Sequence, residues 1–228
     1  MKKKIFTDEE GRMYEKTSKG MEKLAVFSDH YYSLRVFNGI PILEIDGVRM
    51  HLVKNFETPL EYAKRVCKLL RINKEDVVLD SCGGLGYTAI EASKKAKKII
   101  SIEKSPEVIE LAKKNPYSKK YFENKNIIRI NGNSFEKIKE FEDNRFTKII
   151  HDPPRINFSE ELYSPEFYKE ILRVLKKGGV FYHYIGFVGK GRGKNISEEI
   201  AGKIGKINGF KTIKYDEKCY AWLFIKTI

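Results

Sequence analysis

The sequence predicts an α/β protein with a doubly wound, mostly parallel seven-stranded sheet, a C-terminal β-hairpin edge and a small N-terminal β extension. Three observations predict it. Short apolar runs alternate with helical patterns between residues 77 and 184, a glycine turn follows the first of those runs, and two hairpin signals lie ahead of them. Repeated strand–helix units bury a parallel sheet between two helix layers, whereas turn dipeptides between β-prone runs make antiparallel hairpins.

Residues 1–20 are polar and are expected to be mobile. Residues 31–50 then alternate around Asn38-Gly39 and Asp46-Gly47, which predicts a small antiparallel unit. Thr58-Pro59 opens a helix whose apolar positions Leu60, Ala63, Val66, Leu69 and Leu70 recur at helical spacing, with proline acceptable in the first turn. Strands are expected at 77–79, 98–102, 126–130, 147–151 and 179–184, and helices at 87–97, 106–115, 135–141 and 165–176. A helix at 197–208 and strands at 211–215 and 220–227 close the sheet. The organisation is therefore an extension, 1–55, followed by a catalytic domain, 56–228. No period of 20–50 residues repeats.

Composition bounds the partners. The chain of 228 residues is 41% hydrophobic and 33% charged, and no apolar run approaches the roughly 18 residues of a membrane span. Ile5-Phe6 is followed at once by Thr7-Asp8-Glu9-Glu10, so no signal-peptide segment is read and a cytoplasmic location is expected. Cys67, Cys82 and Cys219 are too scattered for a disulfide framework or zinc cluster, and His30, His51, His151 and His183 show no ligand spacing, so no metal is expected. The net charge is +13, and ten basic against eight acidic side chains through residue 55 leave +11 in the remainder. That excess suits a polyanion such as RNA. Lys and Glu enrichment without any Gln also fits the ion-pair-rich surface of a heat-adapted organism, although abundant Asn counts against it.

The chemistry concentrates at strand ends. VVLDSCGGLGYTAI, from Val77 to Ile90, places a buried run directly before a glycine turn and a helix, where a doubly wound fold binds a nucleotide-like ligand. Gly83, Gly84 and Gly86 allow close backbone approach, and Asp80 stands at the strand end; a phosphate-binding loop would place a Lys after the glycines, and none is there. The same pattern would serve as a tight strand–helix turn. Glu103 ends the next strand about twenty residues on, the spacing at which an acid reaches ribose hydroxyls. Asn133 and Ser134 follow the third strand, where an amide can pair with an adenine edge or Asn-Gly-Asn can serve as turn chemistry. IIHDPPR, from Ile149 to Arg155, ends the fourth strand. His151 there is read as a packed strand residue.

These motifs resemble the class I S-adenosylmethionine-dependent methyltransferases, which share a Rossmann-like sheet and a first motif D-x-G-x-G-x-G. Asp80, Gly84 and Gly86 match it, while Cys82 stands in place of the first glycine. Asp152, Pro153 and Pro154 match the Asp/Asn-Pro-Pro of the amino-methylating branch, with Arg155 replacing its aromatic. The resemblance implies S-adenosylmethionine as cofactor, bound by Asp80, Gly83, Gly84, Gly86, Glu103, Asn133, Ser134 and Asp152. It implies an amine acceptor oriented by Asp152 and the Pro153 carbonyl, with Arg155 stacking on it or gripping a phosphate. The chain also resembles an uncharacterised archaeal methyltransferase group with the DPPR signature. A Pro-Pro-Arg version also occurs in uridine C5-methyltransferases, but their cysteine nucleophile would fall at Tyr184 to Val188, where there is none. Beyond that strand Lys190, Arg192 and Lys194 alternate with glycines, either to close on a phosphate backbone or as a solvated loop. The expected function is methylation of an amino nitrogen in a structured RNA. The rival is polyamine aminopropyl transfer with decarboxylated S-adenosylmethionine, which LYSPEFYKEILRVLKKGG from Leu162 to Gly179 also resembles; against it, no acidic site for a cationic amine is evident. A small-molecule methyltransferase is a further alternative.

Overall fold

The computed structural model describes residues 4–186 and 196–228. Strands β1 (Ile5–Thr7), β2 (Met13–Thr17) and β3 (Gly20–Lys23) form one antiparallel sheet. Strands β4 (Ala25–Phe27), β5 (Tyr31–Phe37), β6 (Ile40–Ile45) and β7 (Val48–Arg49) form a second. Residues 5–20, expected to be mobile, are thus largely strand. Their polarity reflects a sheet with one covered face, on which Met13 and Glu15 are buried while Lys16 is exposed. Both predicted hairpin turns form, with positive φ at Asn38, Gly39, Asp46 and Gly47, the conformation that fits the twist of the flanking strands.

The main sheet takes its strands from the apolar runs: β8 (Val77–Asp80), β9 (Lys98–Glu103), β10 (Ile127–Asn131), β11 (Phe146–His151), β12 (Leu175–Tyr184), β13 (Phe210–Asp216) and β14 (Ala221–Lys226). Its order is β10-β9-β8-β11-β12-β14-β13. The first five strands are parallel, and β14 runs antiparallel to both β12 and β13, making the expected hairpin edge. Chain direction along the sheet reverses between β8 and β11, the point where such sheets open a ligand crevice at their C-terminal edge.

Three helices start by one local rule. Helix α1 (Pro59–Leu69) is capped by Thr58; α2 (Tyr87–Ser93) follows Gly86; α3 (Pro106–Lys114) is capped by Ser105. After α4 (Lys119–Glu123) and α5 (Ser134–Lys137), α6 (Pro165–Val174) is capped by Ser164, and α7 (Ile196–Gly205) precedes the edge hairpin. In α1, α3 and α6 a hydroxyl accepts an N–H of the first turn and proline occupies the first helical position. Helix α2 stops at Ser93 rather than 97, and the residues expected as a helix over 135–141 split into α5 and a 3-10 turn, Ile138–Glu140. Strand β12 starts four residues early because Leu175 already pairs with Phe146, after which residues 176–179 bulge out before Val180 pairs with Lys148.

One face of the sheet packs Phe146, Phe181 and Phe224 against Phe167 and Ile171 of α6 and Ile200 and Ile204 of α7; the other packs Val78, Ile99 and Ile150 against Tyr62 and Val66 of α1 and Ala89 of α2. A third cluster joins Met13, Leu34 and Leu43 of the N-terminal strands to Tyr87, Val108 and Leu111. Tyr87 Oη donates to the Pro41 carbonyl at 2.7 Å and accepts from Asn115 at 2.8 Å, fixing the N-terminal strands over the glycine turn. Among the described residues, no helix is long and apolar enough to cross a membrane.

Candidate active site

A cavity of about 530 Å³ opens at the C-terminal edge of β8, β9 and β11. Its floor is the glycine turn. Gly84 has φ +52°, and a Cβ there would meet no atom within 4 Å, so the bare backbone leaves room at the cavity. Gly86 differs: at φ +80° its missing Cβ would lie 2.3 Å from the Tyr121 ring, so it is needed for packing. Gly83 also packs closely, against Ser101 and Tyr121.

Asp80 is fully buried beneath this turn. Its Oδ2 accepts from Thr88 at 3.2 Å and Ser101 at 3.1 Å, while Oδ1 is buried and meets no hydrogen-bond partner among the described residues. Burial pushes its carboxyl up to about 6 despite those hydroxyls, and the charge of Glu103 adds to the rise. Glu103 lines the cavity and accepts from Gly84 N at 2.7 Å and Ser105 N at 2.9 Å; burial raises its carboxyl against those backbone bonds. Cys82 lines the cavity too, its thiol held well above the ordinary range by burial and by the charges of Glu103 and Asp80.

Asn133 and Ser134 stand across from the turn. Asn133 caps α5 through Phe135 N at 2.8 Å and donates to Glu161 at 3.3 Å, and the Ser134 hydroxyl donates to the Ser81 carbonyl. At the end of β11, Asp152 lines the cavity, and burial pushes its carboxyl up to about 7, with the Tyr62 hydroxyl lowering it and Asp80 adding to the rise. Tyr62 Oη in turn lies 2.9 Å from Tyr182 Oη. Pro153 and Pro154 both line the cavity.

His151 is a core residue. Its Nε2 donates to the Leu162 carbonyl at 3.0 Å and its Nδ1 accepts from Ser81 at 2.7 Å, a neutral tautomer that burial enforces by holding the ring down at about 3. His183 is likewise buried, beside Tyr168.

The fold therefore brings Gly83, Gly84, Glu103, Asn133, Ser134, Asp152 and Pro153 onto one cavity. Asp80 and Gly86 lie behind the wall, and Arg155 is exposed and off the lining. Lys190, Arg192 and Lys194 lie outside the described residues. Residues that sequence reasoning did not place here come from the N-terminal strands and their flanks: Asp29, His30, Tyr32, Met50 and His51 form a roof. Asp29, Glu107 and Glu161 make that cavity acidic, a property gathered from three separate segments and invisible along the chain.

The site fits S-adenosylmethionine. The cavity volume lies within the range of small-ligand sites, Gly84 offers open backbone, Glu103 presents a carboxylate where a ribose would lie, and the buried acids suit a cation.

The chain is similar to known methyltransferases in sequence and in fold. A family model described as methyltransferase domain matches residues 72–199, more than half of the chain, and one described as DNA methylase matches 6–114. The uncharacterized protein MJ1233 of Methanocaldococcus jannaschii is 42% identical over 98% of this chain and 76% of its own length. The 23S rRNA (uracil(1939)-C(5))-methyltransferase RlmD of Francisella tularensis is 31% identical over 42% of this chain but only 22% of its own. A crystal structure of spermidine synthase with the transition-state analogue AdoDATO has a TM-score of 0.67 at 22% identity, covering 90% of this chain and 73% of that one, which is a likeness of fold. The chain belongs to the methyltransferase domain family and is an S-adenosylmethionine-dependent methyltransferase.

Proposed function

We propose that the chain methylates an amine nitrogen seated between Asp152 and the Pro153 carbonyl, and that this amine belongs to a structured RNA. Asp152 carries the amine reading: it is a carboxylate on the cavity, at the end of the strand beside the glycine turn. It would accept one N–H of the amine and the Pro153 carbonyl would accept another, leaving the lone pair to face the crevice. Consecutive prolines fix φ and so pin the direction of those carbonyls. When bound, S-adenosylmethionine supplies an electrophilic methyl group on a sulfonium. The residues contribute orientation and exclusion of water more than proton transfer.

The RNA reading is supported by the +11 carried after residue 55, by the exposed Arg155 next to the motif, and by the similarity to RlmD, whose name specifies 23S rRNA. Uridine C5 chemistry is not proposed, because Cys82, the cysteine on the cavity, has a thiol disfavoured as thiolate by burial and two neighbouring acids.

A second reading, a small cationic amine as acceptor, is favoured by the acids Asp29, Glu107 and Glu161 on the cavity. Incubating the protein with tritiated-methyl S-adenosylmethionine and either unmodified total RNA or a small-molecule extract separates them. Label in RNA supports the first reading; label confined to the extract replaces it with the second.

A further inference from the structure

His51 lies on the cavity wall and has no role in the amine seat. Strand β6 and the residues after β7 position it: Met50 N donates to the Leu43 carbonyl at 2.9 Å, and Leu43 N donates to His51 Nδ1 at 3.2 Å. A backbone N–H can only donate, so Nδ1 is the acceptor. Burial holds the imidazole down at about 4, so at neutral pH the ring is uncharged and its one proton sits on Nε2. That N–H has no acceptor among the described residues, and the ring lines the cavity.

Its place along the cavity is set by Tyr87. The two rings are 5.4 Å apart, and Tyr87 directly follows Gly86 at the helix end of the glycine turn, clamped by Pro41 and Asn115. The donor therefore stands at the far end of the turn whose Gly84 is held by Glu103. A cofactor whose ribose lay against Glu103 would direct its aminoacyl end along this turn. That end carries a carboxylate; Asp29, Glu107, Asp152 and Glu161 on the cavity repel it, and Lys104, the one lysine of the lining, follows Glu103 in the chain, at the ribose end of the turn. An imidazole N–H can donate to such a carboxylate while Nδ1 keeps accepting from Leu43 N.

We propose that His51 Nε2–H holds the methionine carboxylate of the cofactor, making His51 the residue by which the chain distinguishes S-adenosylmethionine from its decarboxylated form. The proposal rests on the cofactor and not on the identity of the acceptor. Calorimetry on the full chain tests it with S-adenosylhomocysteine, 5′-methylthioadenosine, which lacks the aminoacyl group, and decarboxylated S-adenosylmethionine. Binding of S-adenosylhomocysteine to the unsubstituted protein is read first, and its absence would count against the cofactor assignment itself. His51→Ala should weaken S-adenosylhomocysteine by about 10- to 100-fold, the effect of losing a hydrogen bond to a charged group, and leave the other two ligands within about twofold. His51→Gln, whose amide keeps a donor at the same reach, should recover most of the loss. Equal weakening of all three ligands would assign His51 to packing Leu43 and Tyr87, and unchanged S-adenosylhomocysteine affinity would remove it from the cofactor site; either result overturns the proposal.

Discussion

Replacing Asp152 by Asn tests whether the amine seat is maintained at the expense of stability. Burial pushes this carboxyl from 3.8 up to about 7, the Tyr62 hydroxyl pulling the other way and Asp80 adding to the rise. A carboxyl whose folded pKa is raised binds its proton more tightly folded than unfolded. The charged form therefore costs nothing below 3.8, costs progressively more between 3.8 and 7, and costs its full amount above 7. About three units at 1.36 kcal/mol each set an upper bound near 4 kcal/mol, and solvent at the cavity face brings the expected cost to about 2–3 kcal/mol. Asn keeps the shape and an acceptor for Tyr62 without the charge. Asp152→Asn should therefore be more stable than the unsubstituted protein by about 2–3 kcal/mol at pH 8.5 without cofactor, with the gain shrinking to nothing near pH 4. Urea denaturation across that range measures it. A variant less stable at pH 8.5, or a gain independent of pH, would refute the reasoning. Turnover of the same variant reports on the acceptor: an uncharged amino group has no proton to shed before transfer and should remain a substrate, whereas an alkylammonium needs the carboxylate.

Glu103→Ala should lower affinity for S-adenosylhomocysteine by about 10- to 100-fold, and unchanged calorimetric affinity would remove Glu103 from the site. Gly86→Ala should destabilise the fold by about 3 kcal/mol, because its Cβ would meet the Tyr121 ring at 2.3 Å in a strained φ, whereas Gly84→Ala should cost only the strain, about 1 kcal/mol, yet impair cofactor binding. Equal denaturation midpoints for the two variants would contradict this division of labour. Arg155→Ala should reduce the logarithmic salt slope of RNA binding by about one, and an identical slope would place Arg155 away from the phosphates.

The parallel strands were legible because a strand buried on both faces reads as an unbroken apolar run, as β8 does from Val77 to Leu79. Helix starts were legible in Thr58-Pro59, Ser105-Pro106 and Ser164-Pro165, where capping is local chemistry. The short strands β1 to β3 were not, since a sheet with one covered face in so few residues shows little alternation. The bulge after Leu175 escaped for a related reason: Lys176 to Gly179 look like a helix end followed by a strand, and only pairing with β11 shows that the strand has already begun. At the site, the glycine turn, Glu103 and the Asp-Pro-Pro motif could be found because each sits at the end of a readable strand. The roof and the acids beside it could not, because Asp29 and His51 flank the N-terminal strands, Glu107 lies on α3 and Glu161 shortly before α6, and these segments meet only through tertiary packing.

The same topology explains why three carboxylates converge. Asp80 and Glu103 end β8 and β9, Asp152 follows β11, and these strands are neighbours in a parallel sheet, so their C-terminal residues share one edge. Burial raises all three carboxyls, Glu103 adds to the rise at Asp80, and Asp80 adds to that at Asp152. Such an arrangement is unfavourable in the empty fold and favourable around a cation. A sulfonium and an ammonium entering the crevice would replace like-charge repulsion with attraction in a poorly screened environment. Methyl transfer removes the sulfonium charge, and with it part of that attraction, so the acids that draw the cofactor in also loosen their hold on its product. The cost of keeping these carboxylates together is thus matched to the one charge that changes in the reaction.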